Sequence, residues 1–187
     1  MKQLGLGVII ALLGLSCKGP AHEAELKTID SLKQVLAQTD SVLALVNIDE
    51  VKTRHDEMHN NMQFIQINID KMGDTLDFKT GLYLSEYKQL RKQLRLIQSG
   101  VVQNTALVDS VMKNLNDFEH DLKNNTLDKS VNLEGAMAAE KMQVNALYQG
   151  SLNLPKLFIE SRASYDTLSP KVNAFVDQLS TKMNLKK

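Results

Sequence analysis

The chain has 187 residues, 43% apolar and 24% charged, and its 22 basic side chains balance its 22 acidic ones. This composition is typical of one folded domain, and zero net charge gives no electrostatic basis for binding nucleic acid. The single cysteine excludes an intrachain disulfide and a thiolate zinc cage, and the small number of Gly, Pro and aromatic residues weighs against an all-β fold.

Residues 1–16 have the pattern of a bacterial signal peptide. A short positive segment, Met1-Lys2-Gln3, precedes an apolar run from Leu4 to Leu15 that is too short for the roughly 20 residues of a membrane span. Leu13-Gly14-Leu15-Ser16-Cys17 then resembles the lipobox of bacterial lipoproteins, in which the chain is cleaved before the cysteine and the cysteine is acylated, for example with palmitate. The alternative is an ordinary secretory signal in which the cysteine is incidental.

If Cys17 is lipidated, residues 17–22 form a short tether to a membrane and residues 23–187 form the folded domain. Acyl chains bury about 0.8 kcal/mol per methylene, so several chains make a durable anchor. Lys18 follows the cysteine, and by resemblance to lipoprotein sorting this favours the outer membrane, with the domain facing the periplasm.

The rest of the chain has a helical repeat over most of its length. Apolar residues recur at spacings that alternate between three and four along Glu23–Leu76, Leu82–Leu122 and Lys129–Met183. The connections between these segments are short and rich in Gly and Asn, which makes neighbouring helices antiparallel. The sequence therefore predicts an all-α protein, an elongated antiparallel up-down bundle of three long helices.

Interruptions in the repeat leave the helix count open, since true breaks would give four or five helices. Pro155 and Pro170 each remove a backbone donor and should kink or break the third helix, and Ser169-Pro170 has the pattern of a helix start. In the first segment the repeat slips at Asn47-Ile48-Asp49, which is either a stutter in one helix or a short turn. The second segment keeps its register through Gly100, so it is predicted to be continuous.

His55 and His59 lie one helical turn apart and are the strongest metal-binding candidates. Together with Met58 and Met62 they would suit a soft ion such as copper(I), or zinc. The competing interpretation is that both methionines belong to the core. A zinc peptidase needs Glu directly after the first His, where this chain has Asp56, and no other catalytic motif is present. The chain is therefore predicted not to be an enzyme.

A second interpretation of His55 is structural. His55 and Asn104 are the polar members of otherwise apolar repeats, and they face each other if the first two helices meet midway between Leu76 and Leu82. The third helix would add Leu147–Ser151 to the same level. A shared polar layer avoids two orphaned groups, each of which costs roughly 1–3 kcal/mol, and fixes the register of the helices.

Two further patterns lie on predicted surfaces. Lys88, Arg91, Lys92 and Arg95 form a basic stripe that is either a solvated helix face or a weak site for anionic lipid. Asp followed by Ser or Thr and an aliphatic residue recurs along the chain and resembles the O-glycosylation sequon of Bacteroidetes envelope proteins. Thr75, in a predicted loop, is the best acceptor, although Asp and Ser/Thr also cap helices.

The lipobox, His55-Asp56-Glu57-Met58, Ala106–Phe118 and Ser161–Leu168 together resemble small helical Bacteroidetes lipoproteins labelled "viral A-type inclusion protein". That resemblance implies a helical fold and an envelope location, without an established function. The leading hypothesis is a non-enzymatic lipoprotein, held by its lipid anchor, that acts as an interaction or scaffold module with an envelope protein partner. The alternative is a periplasmic bundle that binds a small ligand or a soft metal.

Overall fold

The computed structural model describes residues 22–72, 76–128 and 130–185, and all its regular structure in those ranges is helical. Four helices are present: α1 (Glu23–Leu43), α2 (Ile48–Met72), α3 (Phe78–Asn124) and α4 (Leu133–Leu185). The all-α prediction is confirmed. Of the helix counts left open, three is wrong and four is observed, because the first predicted segment consists of two helices.

Helices α1 and α2 lie end to end and together form one side of the bundle. Each packs against both α3 and α4, while the described parts of α1 and α2 do not pack against each other. Side chains on α1 and α2 meet α3 in antiparallel order, as in the pairs Lys33–Glu119 and Asn61–Tyr87. They meet α4 in parallel order. With about 1.5 Å per residue, the 47 residues of α3 span about 70 Å.

The break between α1 and α2 is a tight turn. The N–H groups of Leu45 and Val46 bond to carbonyls three residues earlier, which ends α1. Asn47 then caps α2, because its side-chain oxygen accepts the N–H of Glu50 at 3.0 Å. Val46 and Val51 are both buried, so the core continues across the turn. Of the two interpretations of this slip in the repeat, the short turn is correct.

The prolines do not end α4. The helix runs without a break through Pro155 and Pro170, so the predicted separate last helix is wrong. Each proline removes a single N–H, and the buried side chains of Phe158 and Val172 hold the helix against the core on the C-terminal side of each. Ser169 does not cap a helix, since its hydroxyl bonds to Glu57 of α2.

Helix α3 is continuous through Gly100, as the sequence predicts. A Cβ atom at this position would lie 3.0 Å from Leu154 Cδ2, so the glycine lets α3 and α4 approach closely.

The core follows the predicted repeats on all four helices. Its fully buried side chains include Ile29, Leu36, Val51, Met58, Tyr87, Leu94, Ile97, Val111, Leu115, Val144 and Val172. Within the described residues, no helix carries an apolar stretch of the length and hydropathy needed to cross a membrane.

Candidate functional site

Only part of the predicted polar layer forms. Asn104 Nδ2 donates to Ser151 Oγ at 3.0 Å, and the Ser151 hydroxyl donates to the Leu147 carbonyl at 2.8 Å. His55 lies elsewhere, half-buried, with Nδ1 3.2 Å from Asp56 Oδ1. The expected pairing of His55 with Asn104 is therefore wrong, while Asn104 and the 147–151 stretch lie together.

The register explains the separation of His55 from Asn104. Asp77 caps α3 by accepting the N–H of Thr80 at 3.0 Å and its hydroxyl at 2.6 Å, so α3 begins at Phe78. The connection from α2 is therefore centred about four residues earlier than the midpoint of Leu76 and Leu82. This moves the facing position on α3 by about eight residues, roughly two helical turns.

The four predicted metal-binding side chains do not converge: His55 and His59 line one groove, and the two methionines pack in or against the core. Met58 is fully buried in the core, and Met62 packs against the core, as the competing interpretation expected. His59 is exposed, and its Nδ1 lies 2.9 Å from Arg91 Nη1. Among the described residues, no three His, Cys, Asp or Glu side chains are grouped as metal ligands would be.

Two predicted modification sites, Cys17 and Thr75, lie outside the described residues. Other copies of the Asp-Ser/Thr pattern lie within helices. The hydroxyls of Ser31, Ser41 and Thr167 each donate to the carbonyl four residues earlier, at 2.9–3.0 Å. Those hydroxyls are engaged by their own helix.

A hydrogen-bonded network between α2 and α4 has no counterpart in the sequence predictions. Its centre is the Glu57 carboxylate, which accepts the Tyr165 hydroxyl and the Ser169 hydroxyl, the latter at 3.2 Å. Asn61 Nδ2 donates to Asn173 Oδ1 at 2.7 Å and extends the network by one turn. We call this set the α2–α4 network; it also includes four charged residues that form ion pairs nearby, Glu50, Arg54, Arg162 and Asp166.

Arginines extend the α2–α4 network toward the α1–α2 turn. The Arg54 guanidinium lies 4.3 Å from the centre of the Tyr165 ring and pairs with Asp166 at 2.9 Å. It also pairs with Glu50 at 2.8 Å, and Arg162 Nε lies 3.3 Å from the same Glu50 oxygen. The five charged and aromatic side chains thus bind α2 to α4 on one side of the bundle.

Burial and the neighbouring Glu57 carboxylate raise the pKa of Tyr165 to about 12, so the phenol stays protonated and keeps donating. Burial likewise raises the pKa of Tyr87, which receives the Asn61 amide at 3.4 Å. The Glu57, Asn61, Tyr165, Ser169 and Asn173 side chains hydrogen-bond to one another, whereas the buried Glu50 Oε1 is held by ion pairs with Arg54 and Arg162 and has no hydrogen-bond partner among the described residues. The arrangement fixes helices and leaves no activated nucleophile or base aimed at a cavity.

The network had a signal in the sequence. Glu50, Arg54, Glu57 and Asn61 recur at spacings of three and four along α2, and Tyr165, Ser169 and Asn173 recur at a spacing of four along α4. Each set forms a polar stripe beside an apolar seam. Matching the two stripes required the relative register of α2 and α4, which depends on the two connections that flank α3.

The end of the bundle where α3 begins exposes three apolar side chains among charged ones. Phe78 is 82% exposed and Leu82 is 51% exposed, and Leu76 lies beside them. We call these three residues the tip. A nearby pocket of about 410 Å³ has Tyr83 and Phe175 among its lining residues, with lysines at its rim. Phe78 is the most exposed large apolar side chain of the described residues.

Comparison of the chain with protein-family models, curated proteins and solved structures found no match.

Proposed function

We propose that the chain is a non-enzymatic lipoprotein of the bacterial envelope, tethered through Cys17 to the outer membrane and facing the periplasm. In this proposal the helical bundle is a rigid spacer that presents its tip to an envelope protein partner. The six residues 17–22 would leave Glu23, where α1 begins, close to the membrane surface.

One observation carries the proposal: Glu23, where α1 begins, and the tip lie at opposite ends of the bundle. Ala24 and Glu25 line a groove with Leu133 and Met137 at the start of α4. The tip lies where α3 begins and α4 ends. The length of α3 therefore separates Glu23 from Phe78 by about 70 Å.

The surface chemistry of the tip supports a protein partner. Phe78 exposes an aromatic ring and Leu82 an aliphatic side chain, and large apolar and aromatic residues are enriched at the centres of protein interfaces. The α2–α4 network supports a rigid rod, because it adds hydrogen bonds and ion pairs to the apolar packing between α2 and α4.

The test is photo-crosslinking in the bacterium that naturally produces the protein. A photo-crosslinking amino acid replaces Phe78 in one strain and Leu96 in another. Leu96 is the matched control, an apolar residue on the shaft of α3 that is 69% exposed. We expect one discrete crosslinked protein from position 78, none from position 96, and loss of the product in a Cys17→Ser strain. Equal crosslinking from both positions would refute a partner site at the tip, and an undiminished product in the Cys17→Ser strain would refute the role of the anchor.

A further inference from the structure

A groove between α2 and α3 is lined by His55, His59, Arg91, Lys92 and Arg95 and has a volume of about 290 Å³. We call it the basic groove. Every side chain that lines it is a cation or an imidazole, in a chain whose overall charge is zero. It lies along the middle of α2 and the first half of α3, away from the tip, and has no part in the proposed function.

The basic groove has a regular geometry that follows from the antiparallel pairing. His59 faces Arg91 across the helices. One turn back along α2 is His55, and one turn forward along α3 is Arg95, so His55 and Arg95 form a second facing pair. The two pairs are about 6 Å apart along the bundle, and Lys92 lies beside them. Two guanidinium groups are thus spaced along one groove.

The positive charge of the basic groove is not balanced within the protein. Elsewhere the arginines face carboxylates across helices, as Arg54 faces Asp166 and Arg162 faces Glu50. In the described part of the chain, no carboxylate lies within ion-pair distance of Arg91, Lys92 or Arg95. Asp56 contacts one lining residue, with its Oδ1 3.2 Å from His55 Nδ1.

The contact between Arg91 and His59 determines which ring nitrogen of His59 carries the proton. A guanidinium has no acceptor, so His59 Nδ1 must be the acceptor at 2.9 Å and the ring proton is on Nε2. His59 therefore orients Arg91 while keeping its own remaining N–H as a donor. A metal cation would be repelled by the three neighbouring charges, which is why the two predicted metal-binding histidines fit an anion better.

We propose that the basic groove binds a phosphate group. Guanidinium forks bind phosphate oxygens in bidentate fashion, and lysine adds a point charge. Two guanidinium groups about 6 Å apart along the bundle suit a ligand with two adjacent phosphates, or one phosphate of a membrane surface that carries many. The same chemistry is offered by free diphosphate and by the headgroup of an anionic lipid, and the experiment separates these sources.

The experiment uses the chain from residue 18 onward with its whole helical bundle, and inorganic pyrophosphate as the probe in calorimetric titration at low ionic strength. Arg95→Gln is the main variant, because Arg95 makes no hydrogen bond or ion pair with the described residues and its loss should leave the fold intact. Arg91→Gln is the second. Lys113→Gln removes an equal charge from an exposed position on α3 outside the groove and is the matched control.

We expect saturable binding that is weakened roughly tenfold by either arginine variant and changed by less than about twofold by Lys113→Gln. In a parallel arm the same proteins are sedimented with vesicles of phosphatidylglycerol or of phosphatidylcholine. Pyrophosphate binding alone supports a free phosphate ligand, and groove-dependent binding to phosphatidylglycerol alone supports a lipid headgroup. Binding to neither probe, or equal losses in all three variants, would overturn the proposal.

Discussion

The most informative single substitution in the fold is Tyr165→Phe. It removes only the hydroxyl that donates to the Glu57 carboxylate, and it keeps the ring under the Arg54 guanidinium, 4.3 Å from the ring centre. Hydrogen bonds to charged groups contribute about 1.5–3 kcal/mol, and the half-buried position of Tyr165 favours the lower end of that range. We expect the free energy of unfolding to fall by about 1.5 kcal/mol.

The assay is urea unfolding followed by circular dichroism, together with thermal unfolding. For a domain of this size a loss of about 1.5 kcal/mol lowers Tm by about 3–6 °C. Tyr148→Phe is the matched control, since Tyr148 is a half-buried tyrosine of the same helix whose hydroxyl bonds to none of the described residues. A Tyr165→Phe protein within about 0.5 kcal/mol of the control would show that the α2–α4 network adds nothing to stability.

Three other predictions concern the same bundle. Gly150→Ala should stabilise the protein by about 1 kcal/mol in urea unfolding, because a new Cβ there meets nothing within 4 Å, whereas Gly100→Ala should be neutral or destabilising because its Cβ would lie 3.0 Å from Leu154 Cδ2. Equal gains would contradict the close approach of α3 and α4. Ser151→Ala should cost about 1 kcal/mol by removing the acceptor of the Asn104 amide, and adding Asn104→Leu should restore stability; an uncoupled double-mutant cycle would contradict the contact. The folded-state pKa of Tyr165, about 12, lies above the ordinary 10.0, so its contribution is complete below pH 10 and is lost as the pH rises toward 12. Wild-type protein should therefore lose stability faster than Tyr165→Phe across that window, and parallel pH profiles would contradict the raised pKa.

Apolar periodicity was enough to predict the helical class and the core, because burial at spacings of three and four is a local property of each helix. It also predicted that α3 passes through Gly100. The apolar repeat also runs past Pro155 and Pro170. The expectation of a break there came from the backbone cost of proline, and it was wrong because tertiary packing along α4 outweighs that cost. The turn at Ala44–Asn47 remained ambiguous because a stutter and a tight turn produce the same slip in the repeat.

Register was the main limit on predicting sites. The Asp77 cap starts α3 four residues before the position that the apolar pattern suggested. Because the helices are antiparallel, moving the centre of the connection by four residues moves the residue that faces a given position by about eight. His55 therefore lies near Arg95 and away from Asn104. The side chains of the basic groove were visible in the sequence as two separate stripes, and their convergence depended on this register.

The proposed function requires that the Glu23 end of the bundle lie at the membrane and the tip far from it, which one energy-transfer measurement tests. Lipidated protein is reconstituted in vesicles that carry an acceptor dye at their surface, with a donor on a cysteine introduced as Glu23→Cys or Phe78→Cys. Cys17 is the only native cysteine, and acylation would leave the introduced thiol as the single labelling site. We expect strong transfer from position 23 and little from position 78, about 70 Å farther along the bundle. Equal transfer from both positions would contradict an upright spacer, and absence of the protein from the vesicles would contradict the anchor.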